Sequence, residues 1–370
     1  MGPRSSALAG TGAADADGYD AVYENPAGLV EPTRRRLTLG FVAARYQVDM
    51  DGSRRDVEST NGAILGADIP LPFGGVLKDR IALGLGFYLP TTVLNRASAP
   101  FPDQPRLALL DERTQVVSAM AALSVRLHER VSVGAGVLVL ATLIGQIKIQ
   151  PDNGGRITTL AEEQIVVNYA PIIGVRVRVS PSLRLGAVFR GESKAQYDIA
   201  INSSLGSAIP LQLPVLHIAG VAQYDPMQGA LEASWHPRPF LTLIGGATWK
   251  HWSAFPLPTE NASLGTPAQP PPNYHDTVVP RAAMEIGRGF GPLRLVGRAG
   301  YFFEWSPAPR NAATLLDADR HVFTAGAGAE WTHRYGTLQL DVFGQFHELA
   351  DAPRVSGSFY VLGLALGMDL

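Results

Sequence analysis

The chain has 370 residues, no cysteine, 39 glycines, 17% charged residues and a formal net charge of −2. The lack of a basic excess argues against nucleic acid as the main partner, and no stretch reaches the roughly 20 apolar residues of a membrane helix. A chain of this length would suggest two soluble domains, but a single β-barrel also commonly exceeds the usual domain size. Low charge and abundant glycine favour a transmembrane barrel, and the absence of thiols fits an oxidising compartment.

The N-terminal segment does not have the pattern of a strand. It begins with small residues and three aspartates, and it is too apolar for a solvated linker. Its turn-forming residues are Asn25, Pro26, Ala27 and Gly28. We predict a plug, or hatch, over residues 1–35 inside a barrel formed by residues 36–370. The aspartates could bind a metal, but pairing with lumen arginines or capping of a short helix is favoured.

The strongest strand signal is the stretch from Val131 to Ile149. The 17 residues between Arg130 and Lys148 carry no formal charge, and they alternate with period two. One row is wholly apolar and the other is mixed, whereas the glycines within the stretch would weaken a helix. This pattern predicts a β-strand with one face in lipid.

Similar segments recur along the whole chain. We count fourteen, over 36–51, 61–73, 79–92, 114–128, 130–149, 163–179, 182–201, 214–235, 239–254, 276–289, 292–306, 320–333, 336–349 and 356–370. Short connections alternate with long ones, as in barrels with periplasmic turns and outer loops. The sequence therefore predicts an all-β fold, a 14-stranded antiparallel transmembrane β-barrel in the bacterial outer membrane, surrounded by lipid and lipopolysaccharide. No signal peptide is visible, so we expect an export signal to have been removed from this numbering.

Aromatic residues cluster near the predicted strand ends. Trp235 and Trp331 lie near short turns, and Trp249, Trp252 and Trp305 lie towards long loops. Tryptophan is typical of the membrane interface, so these residues predict girdles on both sides of the membrane.

The predicted inner face mixes apolar and charged side chains. The apolar residues on inward rows are Leu138, Leu140, Ile144, Val188, Val296 and Phe302. Arg294 and Arg298 are the charged candidates for the substrate path. Two interpretations stay open: the charges form ion pairs that hold a plug, or the apolar residues line a tunnel with a cation near one end. The inward apolar residues could equally pack against the plug.

Three regions resemble the FadL/TodX family of outer-membrane transporters of hydrophobic compounds. They are Gly10 to Leu29 with its Asn-Pro-Ala element, Asp79 to Pro90, and Gly300 to His321. The resemblance implies a 14-stranded barrel with a hatch and passive uptake of long-chain fatty acids or aromatic hydrocarbons. It also implies lateral exit through a break in the third strand, for which Leu89 and Pro90 are the candidates, although Pro90 could simply end the strand.

Other functions are weaker hypotheses. The family also includes PorV-like partners in protein secretion, and the Pro-rich loop 255–275 could dock such a protein partner. The last strand lacks the terminal aromatic residue common in outer-membrane barrels. We expect no enzyme, because no Gly-x-Ser-x-Gly element is present and His347 and Asp341 are too far apart along one strand to touch. No metal-ligand spacing or cofactor motif is evident.

Overall fold

The barrel is closed, and a short helical segment precedes it. The computed structural model describes residues 2–31, 35–91, 104–107, 109–110, 117–151, 157–203, 216–261, 269–350 and 352–369. No helix within these ranges combines the length and apolar character needed to cross a membrane.

Fourteen strands among the described residues form the barrel wall. They are β1 (Arg36–Met50), β2 (Thr60–Pro70), β3 (Ile81–Pro90), β4 (Ser118–His128), β5 (Val131–Pro151), β6 (Ile157–Ser180), β7 (Leu183–Arg190 with Ser193–Ser203), β8 (Leu216–Asp225 with Gln228–Arg238), β9 (Leu241–Lys250), β10 (Thr277–Phe290), β11 (Leu293–Glu304), β12 (Arg320–His333), β13 (Gly336–Leu349) and β14 (Val355–Asp369). Short strands at Ser53–Arg55 and Thr259–Asn261 lie at the end with the long loops. All fourteen predicted strands are confirmed, within a few residues at most ends.

Each strand pairs antiparallel with its neighbours, and the last strand closes on the first. The closing seam runs from Arg36 opposite Asp369 to Met50 opposite Val355. Because both edges of each strand are paired along most of its described length, the barrel exposes few backbone donors and acceptors to lipid. One end of the barrel carries turns as short as Pro181–Ser182, and we call it the short-turn end; the other is the long-loop end.

Period-two alternation accounts for the wall. Burial in β10 alternates residue by residue over its first twelve positions, from buried Thr277 to exposed Arg288. Exposed large hydrophobic residues such as Leu231, Leu340 and Leu364 form the outer surface. Because only one face of each strand must be apolar to meet lipid, the outward rows could be read directly from the sequence.

Two predicted strands are interrupted. The segments of β7 are separated at Gly191, whose N–H donates to the carbonyl oxygen of Pro171 at 2.8 Å. A proline in a strand cannot donate to its neighbour, so the ladder changes partners at this point. The segments of β8 are likewise separated at Pro226.

Pairing at the long-loop end departs from a simple meander. As far as the chain is described, β4 begins at Ser118, which lies opposite Leu140, so the upper part of β5 extends beyond the described part of β4. That edge pairs in parallel with the second segment of β7, from Leu143 opposite Tyr197 to Ile149 opposite Ser203. A free strand edge is a template for further pairing, which explains this exchange.

The aromatic girdles are confirmed in part. Trp235, Trp249, Trp305 and Trp331 are exposed on the barrel surface. The prediction for Trp252 is wrong: this side chain is only 6% exposed and packs with Tyr224, Phe255 and Tyr274 under the outer loops. Residue type alone does not indicate on which side of the wall an aromatic ring lies.

Candidate functional site: the barrel interior

The N-terminal residues 2–31, which we call the hatch segment, lie almost entirely buried against the barrel wall. They form α1 (Pro3–Ala7), α2 (Gly18–Glu24) and a 3-10 turn (Pro26–Gly28). Helix α1 packs against β11 to β14, α2 against β2 to β4, and the 3-10 turn against β4 to β6. A segment in contact with so many strands must lie within the ring that they form.

Apolar packing fixes the hatch segment on two sides. On one side Val22 and Leu29 pack in a cluster with wall residues Ile64, Ala82, Met120 and Ala122. On the other side Leu8 and Ala9 pack in a cluster with wall residues Ile244, Val279, Ala283, Phe302 and Val322. The inward apolar residues in these two clusters therefore pack against the hatch segment and bury its apolar side chains.

Asn25 links the hatch segment to itself and to the wall. Its side-chain nitrogen donates to the carbonyl oxygens of Ala13 at 2.5 Å and of Val175 at 3.1 Å. Its side-chain oxygen accepts from the N–H of Ala27 at 3.0 Å. The carbonyl oxygen of Ala27 in turn accepts from the Ser132 hydroxyl at 2.8 Å. The Asn-Pro-Ala element thus provides hydrogen-bond partners for buried groups of both the hatch segment and the barrel wall.

Three wall glycines let the hatch segment touch the strand backbone. A Cβ at Gly134 would lie 2.4 Å from the carbonyl carbon of Pro26, and one at Gly174 would lie 1.9 Å from the side-chain oxygen of Asn25. Gly186 has another hatch carbonyl oxygen 1.9 Å from its Cβ position. No side chain fits at these positions, so only glycine permits such close approach.

Arginines of the wall bind the backbone and the C-terminal part of the hatch segment. Arg176 donates to the carbonyl oxygens of Ala16 at 3.0 Å and of Gly28 at 3.3 Å. Glu31 lies 2.7 Å from Arg178 and 3.6 Å from Arg176. Charged donors to carbonyl oxygens are among the stronger hydrogen bonds, so this cluster anchors the turn after α2.

A second ion-pair network holds α1. Arg4 lies 3.1 Å from Asp15 and 3.0 Å from Glu285 of β10. Glu285 also accepts from Arg298 at 2.8 Å, and Arg298 pairs with Asp341. Removing one member would leave a buried charge without its partner.

Asp15 is the centre of this network on the hatch side. It pairs with Arg4 and Arg184, and the imidazole of His236 lies 3.6 Å away. Burial alone would raise the pKa of Asp15, but the contact with His236 and the two arginine charges hold it well below its ordinary value. Asp15 is thus an anion at any physiological pH.

The other two aspartates differ from each other. Asp17 lies 3.8 Å from Arg36 of β1. Asp20 accepts the N–H of Ser5 at 2.6 Å inside the hatch segment, and burial raises its pKa to about 7. Pairing with arginine therefore accounts for two of the three aspartates, and the described residues contain no group of three metal-ligating side chains.

Two cavities lie on opposite sides of the hatch segment. The one at the short-turn end has a volume of about 690 Å³ and is lined by charged residues, including Arg126, Arg178, Arg294 and Glu330. The other, which we call the outer chamber, has a volume of about 270 Å³ and lies towards the long loops. The hatch segment lies between these two cavities, both of which carry charged residues.

Aromatic rings and buried ion pairs line the outer chamber together. The rings belong to Tyr23, Tyr46, Trp252, Phe302 and Phe359. Arg320 lies 3.1 Å from Glu304, which also binds Lys250. Arg281 stacks over the ring of Phe302, with its guanidinium carbon 4.6 Å from the ring centre. These contacts neutralise most of the charge that a cargo molecule would meet.

The six apolar residues that were predicted to face inward differ in their contacts. Those with described side chains that are 6% exposed or less are Leu140, Val188, Val296 and Phe302. Val188 packs with Ala13 of the hatch segment, and Leu138 borders the same cluster. The backbone of Ile144 is paired in β5, but its side chain lies outside the described residues. Among the five whose side chains are described, Phe302 is the one that contacts both the hatch segment and the outer chamber.

The two predicted path arginines differ in role. Arg294 is about half exposed and pairs with Glu330 at 3.1 Å at the short-turn end. Arg298 belongs to the network that holds Arg4, as described above. The sequence did not indicate Arg4 as a member of this network, because its contact with Glu285 spans 281 positions.

The predicted wall break lies at the upper end of β3. Pairing of β3 with β4 extends only to Tyr88 opposite Ser118, whereas pairing with β2 continues to Pro90 opposite Gly62. Leu89 is exposed on the outer surface. Among the described residues, β3 therefore has a free edge beyond Tyr88 on the side of β4.

His347 and Asp341 do not form a pair. A ring nitrogen of His347 lies 3.3 Å from the side-chain oxygen of Gln345, and its ring stacks on Phe359 with centroids 4.1 Å apart. Asp341 binds Arg298 instead.

A closed 14-stranded antiparallel wall defines the class of outer-membrane β-barrels, and here an N-terminal segment packs against that wall. The chain matches the model of the family "Outer membrane protein transport protein (OMPP1/FadL/TodX)" over residues 2–348 and belongs to that family. The match to a family described as a transport protein does not favour the alternative of a PorV-like secretion partner.

Solved structures support the same fold. A FadL homologue of Pseudomonas aeruginosa is 14% identical with a TM-score of 0.68, covering 100% of this chain and 98% of that one. The toluene transporter TodX of P. putida is 12% identical with a TM-score of 0.63, covering 100% and 98%. The monoaromatic hydrocarbon channel CymD is 16% identical with a TM-score of 0.60, covering 100% and 97%. A search of curated proteins gives no match.

Proposed function

We propose that this protein carries hydrophobic molecules, such as aromatic hydrocarbons or long-chain fatty acids, passively across the outer membrane. The observation that carries the proposal is the outer chamber, which borders the hatch segment and whose lining combines five aromatic rings with charged side chains. The similarity to a toluene transporter and a monoaromatic hydrocarbon channel adds support. Residues 1–35 would then act as the hatch, and residues 36–370 as the barrel.

The size of the outer chamber favours a compact cargo. Its volume is about 270 Å³, and an apolar cavity of about 150 Å³ in another protein suffices to bind benzene. A single aromatic ring fits such a space, whereas a long acyl chain would extend beyond it. Aromatic side chains also offer ring-to-ring contacts to such a ligand.

The binding step is tested with purified protein and toluene. We expect Phe302→Ala to weaken binding roughly tenfold, which corresponds to about 1.4 kcal/mol, because Phe302 lines the chamber. Phe323→Ala is the matched control, since Phe323 lies on the neighbouring strand and is exposed on the outer surface. Failure of the protein to bind toluene or a fatty acid, or equal binding by both variants, would contradict the proposal.

We further propose that cargo leaves sideways beside Leu89 and Pro90. The support is the end of β3–β4 pairing at Tyr88. Because the chain has no cysteine, the double variant Leu89→Cys with Val117→Cys can close this edge with a disulfide. Oxidation should abolish uptake, and reduction should restore it.

The control for that experiment is a disulfide across a paired part of the wall. Phe323 and Phe346 lie opposite each other on β12 and β13. Oxidation of the double variant with cysteine at these two positions should leave uptake unchanged. Normal uptake by the oxidised β3–β4 variant would place the exit elsewhere.

A further inference from the structure

An apolar groove of about 750 Å³ lies on the wall across β4 to β8. Its raised sides are Leu123, Ile173, Phe189 and Leu231, whose side chains are 40–69% exposed. Its floor includes Ala135 and Ala187, which lie opposite Ile173 and Leu231 in the strand register. We call this feature the wall groove. Its volume falls in the range of about 300–1,000 Å³ that is typical of ligand pockets.

The wall groove lies over the place where the hatch segment touches the wall. Gly134 and Gly174 line the groove and also contact Pro26 and Asn25 on the inner side. Small residues therefore occupy both faces of this stretch of wall. Since a small residue on the outer face leaves space that neighbouring large residues enclose, the depression follows from the register of the strands.

The depth of the groove in the membrane follows from Trp235. This side chain is 50% exposed, and tryptophan marks the interface. Leu231 lies on the same outward row, four positions from Trp235 towards the long-loop end. At about 3.3 Å per residue and a strand tilt of about 40°, this places Leu231 roughly 10 Å deep in the hydrocarbon. Half of the hydrocarbon core is about 15 Å thick. The groove thus lies in the leaflet at the short-turn, periplasmic end.

Charge below the groove fits a phosphate group. Arg130 and Arg238 are exposed at the turns that flank the groove, and neither forms an ion pair among the described residues. By the same geometry Arg238 is roughly 18 Å below Leu231, which is within the roughly 20 Å that separate the bilayer midplane from the outside of the headgroup layer. Exposed arginines next to a membrane attract anionic headgroups.

We propose that the wall groove is a binding site for one phospholipid of the periplasmic leaflet, with an acyl chain along Ala135 and Ala187 and the phosphate at Arg130 and Arg238. This lipid is retained, unlike the exchanging lipid around the rest of the barrel. The site is separate from the cargo path inside the barrel, and it does not depend on the identity of the cargo.

The test uses the whole protein in nanodiscs that contain a phospholipid with a photoreactive diazirine in its acyl chain. After illumination, labelled peptides are mapped by mass spectrometry. We expect labelling per residue to be at least about tenfold higher on β5 to β8 than on β12 to β14. Even labelling around the barrel would overturn the proposal.

Two variants sharpen the result. Ala187→Phe fills the groove and should abolish the excess labelling. Ala327→Phe is the matched control, because Ala327 is on an outward row like Ala187 and lies four positions from Trp331, at the depth of the groove. Cross-links between two copies through the groove, or displacement of the label by toluene, would overturn the lipid assignment in favour of a self-association surface or a cargo site. If Ala187→Phe does not fold, the labelling pattern of the wild-type chain still decides.

Discussion

Replacement of Asn25 by alanine should loosen the hatch segment without opening the barrel. The wild-type side chain makes three hydrogen bonds, to Ala13, Val175 and Ala27. Loss of the side chain leaves the buried groups of Ala13 and Ala27 without this partner, at a cost of about 1–3 kcal/mol each. A total near 3 kcal/mol corresponds to a roughly hundredfold increase in the open population of the segment.

Hydrogen–deuterium exchange measured by mass spectrometry reports on this change directly. Amides in peptides from residues 2–31 should exchange about a hundredfold faster in Asn25→Ala, whereas peptides from β10 to β14 should be unchanged. Asn311→Ala is the control, because Asn311 is exposed in an outer loop. Equal protection of the hatch segment in both variants would refute the reasoning that Asn25 holds it in place.

Three further predictions concern charge. Burial raises the pKa of Asp20 to about 7, so the protection of hatch-segment amides from exchange should fall as pH rises from about 4 to about 7 and then level off. Asp20→Asn should remove this pH dependence. A pH dependence that persists in the variant would contradict the assignment. Glu285→Gln should weaken the network with its two arginines by about 3–5 kcal/mol, read as faster exchange of α1. Asp51→Asn breaks only an exposed pair with Arg354 and should leave Tm unchanged; a clear drop in Tm would show that this pair matters.

The barrel could be predicted from the sequence because each strand that faces lipid needs an apolar outer face. This requirement concerns one face only, so the outward rows and the strand count follow from period two. The interruption at Gly191 was harder to foresee, since it depends on Pro171 of the neighbouring strand. The parallel contact of Leu143 with Tyr197 was not foreseeable either, because it depends on where β4 begins.

The contacts inside the barrel could be predicted from the sequence only in part. An inward apolar residue can pack against a plug or line a tunnel, and the sequence pattern is the same in both cases. Val188 packs on the hatch segment, whereas Phe302 also borders the outer chamber. Gly134 and Gly174 did carry a signal, because glycine within a strand often marks close approach of another backbone. Their partners, however, lie more than 100 positions away in the chain.

The long-range contacts of the hatch segment determine when it can become ordered. Gln345 of β13 donates to the carbonyl oxygen of Ser6 across 339 positions, and Thr324 of β12 binds the N–H of Ala9 across 315. Contacts of such separation form only after the intervening chain has been arranged, which makes them slow. Although the hatch segment precedes the barrel strands in the chain, it is therefore ordered after them, and folding intermediates in which β11 to β14 are not yet assembled lack these contacts.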